Sequence, residues 1–320
     1  MGNRCLFFSY RFILHLFFLL SAVALFPSVG LAEESRSAKK FPGSEPGWST
    51  FLRGGYVHQF DGDLDEGGSF NTDSFFLQGG VSHATEYGRS ISLALGYGFD
   101  GYDFSGDSGF AGLRPWDNIH SFRLSVPVRL KYGNNWSVFV MPTVRTTAES
   151  GSDFDKALTG GGLAGFSYRF SDRLTIGPGI GVVTQIEDNA SVFPVLILNW
   201  KMTDRLSLET GRGLGATQGP GMTLKWKATD SLNLSIGGRY ERLRFRLDKD
   251  GVAPNGIGDD RSFPIFGGVS YQFSRKTQAS LLVGVKLGGE LRLEDEKGND
   301  LSESDYASTV FLGFSFNFLF

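Results

Sequence analysis

The amino-acid sequence predicts an all-β protein, a transmembrane antiparallel up-and-down β-barrel of about 14 strands. Three observations support this fold class: an alternating strand at the end of the chain, a series of similar runs from Trp48 onward, and connections of alternating length. Successive side chains of a strand point to opposite faces, so alternation of apolar and small or polar residues gives one face for lipid and one for water. Counts of 12 and 16 strands are the alternatives, if the weak first runs or the long run at 231–247 divide differently.

The chain begins with the features of a secretory signal. A basic start precedes an almost wholly apolar stretch at 12–26, and Gly30 and Ala32 fit the −3 and −1 positions of a cleavage site before Glu33. The alternative is an uncleaved membrane anchor, for which the apolar stretch is short. The predicted organisation is a cleavable signal peptide at 1–32, a short periplasmic lead at 33–47 and an outer-membrane barrel at 48–320.

The run at 121–132 shows most clearly why the elements after Trp48 are strands. Its even-numbered residues from Phe122 are apolar, whereas Arg123, Arg129 and Lys131 lie at odd positions. A helix would scatter these charges around its circumference, so the period of two favours a strand. The predicted strands are 48–60, 74–84, 89–101, 119–132, 135–146, 156–170, 173–184, 191–202, 205–215, 219–228, 231–247, 261–273, 277–293 and 305–320.

The connections give the orientation of the barrel. Tight turns, such as those at 133–135 and 203–205, follow the even-numbered runs, whereas most odd-numbered runs end in longer loops. Bacterial barrels have short periplasmic turns and long outer loops, so both termini are expected on the periplasmic side. A soluble β-sandwich is the alternative fold, but its strands are usually shorter.

Composition excludes several classes of protein. The single cysteine, Cys5, lies in the presumed signal, so the mature chain has no thiol for a disulfide or a thiolate metal site. Removing residues 1–32 leaves 29 basic and 34 acidic side chains, a net charge of −5, which argues against a nucleic-acid partner. The 44 glycines and 30 phenylalanines suit tightly turning strands with aromatic girdles.

The last strand carries a resemblance to a known class of protein. Residues 311–320 alternate and end on a phenylalanine, and Tyr306 is expected to share the lipid face with Val310 and Leu312. Together with the signal and the alternating runs, this strand resembles those of bacterial outer-membrane β-barrel proteins, over the whole mature chain. The resemblance implies a Gram-negative outer membrane, with its lipid and lipopolysaccharide as surroundings, and recognition of the last strand by the barrel-assembly machinery. The residues that match this assembly signal are Phe314, Phe316, Phe318 and Phe320.

The inward-facing charges are the main functional lead. Basic side chains outnumber acidic ones among them, inside a rim of acidic outer loops. Rings of basic side chains favour anions in pores. A closed barrel filled by salt bridges is the alternative, but unpaired buried charge is costly and favours a hydrated lumen. The predicted lumen-lining residues are Arg123, Arg129, Lys131, Arg145, Arg169, Glu209, Lys225, Lys227, Arg239, Glu241, Lys286 and Glu290.

A second set of inward residues is apolar and leaves other functions open. It contains Phe139, Met141, Leu163, Phe193, Val195, Ile197, Phe266 and Phe311. The basic inward set favours a channel for passive diffusion of small hydrophilic, preferably anionic solutes. The alternatives are a transporter of hydrophobic small molecules, or a closed structural or adhesive barrel that acts through its acidic outer loops.

Enzyme chemistry finds little support in the sequence. No Gly-x-Ser-x-Gly elbow occurs, and His120 beside Ser121 is only a neighbour in sequence, so no catalytic residue and no cofactor is predicted. The run Asp61-x-Asp-x-Asp65 begins like a calcium loop, but Glu66 replaces the required glycine and Thr72 the bidentate glutamate. Solvated acidic loops are therefore favoured over a metal site.

Overall fold

A computed structural model describes residues 46–186, 190–211 and 220–320. The predicted signal peptide and nearly all of the periplasmic lead lie outside these ranges. No helix within them is long and apolar enough to cross a membrane. The elements are β1 (Gly47–Asp63), β2 (Ser69–Ala84), β3 (Ser90–Ser105), α1 (Gly109–Leu113), β4 (Asn118–Ser125), β5 (Val128–Tyr132), β6 (Trp136–Glu149), β7 (Leu158–Ser171), β8 (Leu174–Thr184), β9 (Ala190–Lys201), β10 (Leu206–Thr210), β11 (Gly221–Lys227), β12 (Leu232–Arg239), β13 (Glu241–Arg246), β14 (Ile257–Ser274), β15 (Thr277–Glu294), β16 (Asp300–Tyr306) and β17 (Thr309–Leu319).

These segments form one closed antiparallel barrel. Consecutive strands pair around the ring, and β17 returns to pair with β1, with Phe51 opposite Leu319 and Gln59 opposite Phe311. The segments β4 and β5, β12 and β13, and β16 and β17 continue one another, which gives fourteen barrel strands over the described residues. The predicted fold class and strand count are confirmed.

Exposed aromatic side chains mark the periplasmic edge of the outward face. Trp48, Trp136, Trp200 and Trp226 all lie near the short turns and remain exposed. Membrane barrels have girdles of aromatic residues at both membrane–water interfaces, so the four indoles mark the periplasmic boundary of the bilayer. The fifth tryptophan, Trp116, is buried at the opposite end of the molecule.

The side chains of β17 face the predicted sides of the barrel wall, whereas Tyr306 of β16 does not. Leu312, Phe314 and Phe320 are exposed on the outward face, and the alternate positions Phe311 and Ser315 are buried. Tyr306, expected on the lipid face, is instead buried in the barrel interior. Residues 307–308 interrupt the strand between β16 and β17, so the alternation before the break cannot be continued across it.

Glycines and phenylalanines are paired across neighbouring strands. Inward aromatic rings lie directly over glycines of the adjacent strand, in the space that a Cβ atom would fill. This packing places a flat ring against the wall of the barrel, and it accounts for the abundance of both residue types. Examples are Phe51 over Gly80, Phe76 over Gly55, Phe139 over Gly165, Phe193 over Gly181, Phe266 over Gly237 and Phe311 over Gly284.

Several strands continue beyond the membrane on the outer side. β14 and β15 each have 18 residues, whereas a bilayer requires about 9–11. Tyr240 and Leu243 are apolar residues three positions apart, which breaks the alternation of the predicted run at 231–247, and both lie in this extension. Pairing with β14 keeps one register from Gly238 to Glu241, so the strand leaves the membrane there without a bulge, and Leu243 packs inside the barrel.

Candidate functional site: the barrel lumen

A row of basic side chains crosses one wall of the lumen. Arg53 on β1 pairs with Gln78 on β2, which lies opposite Gly96 on β3, followed by Arg123 on β4 and Arg145 on β6. These five residues, the arginine row, occupy consecutive positions of one cross-strand ladder. Phe122, Leu124 and Val144, the sequence neighbours of Arg123 and Arg145, are exposed on the outward face. Because successive side chains of a strand alternate, the two arginines point inward.

The arginine row concentrates positive charge without a neighbouring acid. The nearby charges that act on Arg123 are those of Arg145 and Arg53, and within the described ranges no ion pair joins these three residues to a carboxylate. Like charges placed directly opposite each other on paired strands are destabilising. The three side chains keep intermediate exposure, so they border accessible space inside the barrel.

Gln78 fixes the position of Arg53. The amide oxygen Oε1 of Gln78 accepts hydrogen bonds from Arg53 Nε, at 2.6 Å, and from Nη2. Gly96 leaves the next position of the ladder without a side chain. A Cβ atom there would lie 3.8 Å from Gln78 Cγ and 3.9 Å from Arg123 Cβ.

Nearer the outer side, the lumen contains charges of both signs. Asp100 accepts a hydrogen bond from Ser74 Oγ at 2.6 Å and interacts electrostatically with Lys286 and Glu241. Arg239 lies 3.6 Å from Glu241 and over the ring of Phe266, at 4.6 Å. The positive charge of this region is balanced, in contrast to that of the arginine row.

Most of the residues predicted to line the lumen lie on the inward face. They include Glu209 and Lys225, which form an ion pair of 2.9 Å on β10 and β11. Lys227 lies at the periplasmic end instead, where its ammonium group contacts Asp230 of the turn at 2.7 Å. The inward-facing members of the prediction are Arg123, Arg129, Lys131, Arg145, Arg169, Glu209, Lys225, Arg239, Glu241 and Lys286.

Glu290 lies on the outward-facing side of the barrel wall and not in the lumen, contrary to the prediction. The register between β14 and β15 shifts between the pairs Phe263–Leu287 and Arg261–Glu290. Gly288, with a φ of 57°, lies within this bulge, and the extra residue moves the following side chains to the opposite face. Glu290 therefore joins Arg261 and Arg292 outside the barrel wall.

Arg53 and Asp100 are further inward charges, which the predicted lumen-lining set does not contain. The consecutive apolar residues 51–52 and glycines 54–55 hide the alternation around Arg53. Asp100 could have been found, because Tyr97 and Phe99 indicate that even-numbered residues of this strand point inward.

The inward apolar residues form two patches on the wall. Met141, Leu163 and Val195 pack with Phe139 and Phe193 on the β6–β9 side. Phe266 and Phe311 pack with Val57 and Leu282 on the side that includes β1, β14 and β15. Because the aromatic rings lie over glycines, these patches line the wall.

The outer mouth is closed by a buried cluster that joins opposite walls. Tyr102 on β3 donates a hydrogen bond to Asp260 on β14 at 2.8 Å, and Trp116 packs against Phe245 on β13 with ring centroids 5.2 Å apart. Burial and the nearby charge of Asp260 raise the pKa of Tyr102, which keeps the phenol a hydrogen-bond donor. We call this cluster the aromatic plug; it consists of Phe70, Tyr102, Phe104, Phe110, Trp116, Phe245 and Tyr306.

Backbone contacts reinforce the closed mouth. Arg246 of β13 pairs in parallel with Ala148 of β6, although these strands lie on opposite sides of the ring. The Glu149 carboxylate accepts hydrogen bonds from the backbone N–H groups of Asp117 and Asp248, at 2.9 and 2.8 Å. Burial raises the pKa of Glu149, an effect that these two hydrogen bonds oppose.

An ion-pair network supports the outer face of the extension. Asp259 is fully buried and accepts hydrogen bonds from Arg242, Arg244 and Arg261, and Arg244 also pairs with Glu294. Burial alone would raise the pKa of the Asp259 carboxyl, but the hydrogen bond from Arg242 and the charges of the three arginines hold it below its ordinary value. The network therefore depends on an ionised Asp259.

The calcium-loop-like run at 61–65 and the nearby His58 take part in ordinary polar contacts. Within the described ranges, no group of three or more His, Cys, Asp or Glu side chains is arranged to hold a metal ion. Asp61 accepts a hydrogen bond from Asn71 at 3.1 Å. His58 lies 2.7 Å from the carboxylate of Asp73 on the outward face.

The closed strand pairing, the exposed aromatic edge and the polar interior define an outer-membrane-type β-barrel. A family model described as a domain of unknown function (DUF6268) matches residues 115–256, less than half of the chain. A comparison with curated proteins gave no match.

Solved barrel structures are similar over most of the chain at low identity. A TodX monoaromatic hydrocarbon channel deltaS2 mutant has a TM-score of 0.49 and 9% identity, covering 87% of this chain and 92% of that chain. A FadL homologue from Pseudomonas aeruginosa has a TM-score of 0.48 and 13% identity, covering 94% and 96%. The NanC porin has a TM-score of 0.33 and 11% identity, covering 83% and 98%.

Proposed function

We propose that this protein is an outer-membrane channel for small hydrophilic solutes, with a preference for anions. The observation that carries the proposal is the arginine row, in which three guanidinium groups share one wall of the lumen without a carboxylate partner in the described structure. Positive charge in a hydrated pore lowers the energy of a passing anion and raises that of a cation. The protein would reach the outer membrane through its N-terminal signal, with lipopolysaccharide around its outer extension.

The closed mouth implies that the channel is gated. The aromatic plug and the β6–β13 contact obstruct the path above the arginine row. Solute passage would require these contacts to separate while the hydrogen-bonded wall stays intact. The wall does not depend on the plug, because every barrel strand pairs with two neighbours.

Transport of hydrophobic small molecules is the second candidate. It is favoured by the inward patch of Phe139, Met141, Leu163, Phe193 and Val195, which gives one wall an apolar surface. In this case, Phe139→Ala should reduce uptake of a monoaromatic hydrocarbon and leave the ion selectivity unchanged. Under the anion-channel proposal, the same substitution should leave hydrocarbon uptake at the level of the native protein.

Single-channel recording tests the proposal. The refolded protein is placed in a planar bilayer under a potassium chloride gradient, together with Trp116→Ala and Leu113→Ala. Trp116 is 3% exposed within the plug, so its truncation should cost about 3–5 kcal/mol of packing and increase the open probability. Leu113, 41% exposed on α1, is the control and should leave the recording unchanged.

The reversal potential then gives the selectivity. We expect chloride preference in the open Trp116→Ala channel, because the arginine row remains in place. A folded Trp116→Ala barrel that stays silent would contradict the channel proposal. Cation preference would contradict the proposed selectivity for anions.

A further inference from the structure

We propose that Arg123 and Arg145, together with Arg53 held by Gln78, form a specific binding site for an oxyanion group, such as the phosphate or carboxylate of a small solute. This inference rests on the proposed channel function and names the chemistry of its solute. The lumen then contains a site that selects and holds its solute, in addition to a field that favours anions.

The placement of the pair Arg123 and Arg145 is the first observation. They lie directly opposite each other on β4 and β6, so their Cα atoms are separated by about 5 Å. Both side chains leave the same concave face of the wall. Two guanidinium groups at this spacing can contact one anion between them.

The lack of an internal counter-charge is the second observation. The nearby charges acting on Arg123 are both positive, and the mixed-sign group around Asp100 and Lys286 is a separate set. The like-charged pair is a cost to the folded barrel unless an anion from solution compensates it. Two other lumen basic residues have acidic partners, because Lys225 pairs with Glu209 and Arg239 with Glu241.

Gln78 gives the site a third, oriented arginine. Its Oε1 accepts from Nε and Nη2 of Arg53, which fixes that edge of the guanidinium group and leaves Nη1 for another acceptor. Gln78 is 8% exposed, so the contact is shielded from bulk solvent. Gly96 keeps the space between Gln78 and Arg123 clear of side chain.

Arginine side chains favour oxyanions over halides as the ligand of this site. A guanidinium group is a planar fork whose N–H donors match two oxygens of a carboxylate or phosphate, whereas a halide offers one centre. Three arginines on one ladder therefore favour a ligand with several oxygens. Lysines would supply the same charge without this geometry.

Ligand-dependent stability tests the site without requiring an open channel. The unfolding midpoint of the refolded protein in detergent is measured against sodium phosphate, sodium acetate and sodium chloride at equal ionic strength. A ligand that binds only the folded state raises the midpoint with its concentration. We expect phosphate or acetate, and not chloride, to produce a saturable rise.

Matched variants locate the effect. Arg145→Gln should weaken oxyanion binding about tenfold or more, the value of a charged hydrogen bond. Without oxyanion, it should be at least as stable as the native protein, because a like-charge contact has been removed. Arg145→Lys keeps the charge and should bind the oxyanion with an affinity between those of the native protein and Arg145→Gln. If Arg145→Gln does not fold, the lysine variant still tests the site. Arg173→Gln removes one charge from a periplasmic turn and should retain full binding.

The outcomes separate this inference from the channel proposal. An equal effect of all three salts, or an equal phosphate effect in Arg145→Gln, Arg145→Lys and the native protein, would overturn the site. Chloride conductance that phosphate does not reduce would leave the channel standing and count against the site. Saturable binding in a barrel that never conducts would support the site and remove the channel.

Discussion

At the residue scale, the barrel combines two kinds of inward side chain. Below the aromatic plug, aromatic rings are placed over glycines of the next strand, so they thicken the wall without crossing the lumen. The three arginines of the arginine row, by contrast, leave the wall and border accessible space. The inward direction of Arg123 and Arg145 could be read from the sequence, because clean alternation surrounds each. Their isolation from carboxylates could not, because it depends on strands distant in sequence.

Gly284 tests the glycine–aromatic packing. In Gly284→Ala, the new methyl group would lie 2.5 Å from the ring of Phe311 and would also overlap the carbonyl oxygen of Ile265. We expect a loss of about 1–3 kcal/mol in the free energy of unfolding, measured by urea titration in detergent. Gly160→Ala is the control, since a Cβ atom there meets nothing within 4 Å. Equal stability of the two variants would show that the packing is loose.

At the element scale, alternation predicts strands well where they are regular and fails where they change phase. All fourteen predicted strands are present within the described ranges, because a hydrophobic period of two persists through the membrane; residues 212–215 and 219 of the predictions lie outside those ranges. Glu290 and Tyr306 were assigned to the wrong face because a bulge at Gly288 and a break at 307–308 reverse the phase. Lys227 was assigned to the lumen but lies at the periplasmic rim, because the alternation of residues does not show where a strand reaches the end of the barrel.

Asp259 makes the extension formed by β13, β14 and β15 sensitive to acid. Its folded pKa lies below the ordinary value of about 3.9, so its contribution is present above that pH and is lost as the pH falls through the folded value. Asp259→Asn should cost about 2–3 kcal/mol at pH 7, because the buried Arg244 and the partly exposed Arg242 and Arg261 lose their shared partner.

Unfolding midpoints between pH 7 and pH 2.5 check this expectation. The difference between the native protein and Asp259→Asn should shrink below about pH 4. Asp204→Asn, in an exposed turn, should show little difference at any pH. A constant difference for Asp259→Asn down to pH 2.5 would contradict the role given to ionised Asp259.

At the whole-molecule scale, the closed ring and the closed mouth have different origins. The ring follows from local pairing of consecutive strands, which the alternating connections made predictable. The mouth depends on contacts between opposite walls, such as the hydrogen bond from Tyr102 to Asp260, 158 residues apart. Alternation carries no information on such contacts, so the aromatic plug could not be predicted from the sequence.

The last strand closes the ring and is proposed to direct assembly. The backbone N–H of Phe320 donates to Thr50 at 2.8 Å, while its ring is 64% exposed. Deleting Phe320 should remove most of the folded barrel from the outer membrane of expressing cells, measured by heat-modifiable mobility. Refolding in detergent should be little affected, because the rest of the β1–β17 ladder remains. Phe273→Ala, an equally exposed aromatic residue at the same edge, is the control and should assemble normally.

The distribution of tryptophans gives the molecule a built-in optical reporter. Trp48, Trp136, Trp200 and Trp226 lie at the periplasmic edge, whereas Trp116 is enclosed in the aromatic plug. Opening the mouth would transfer this one indole from an apolar to an aqueous environment and leave the other four in place. The emission of the unlabelled protein would then shift to longer wavelength as the plug separates, so gating could be followed by intrinsic fluorescence in the native chain.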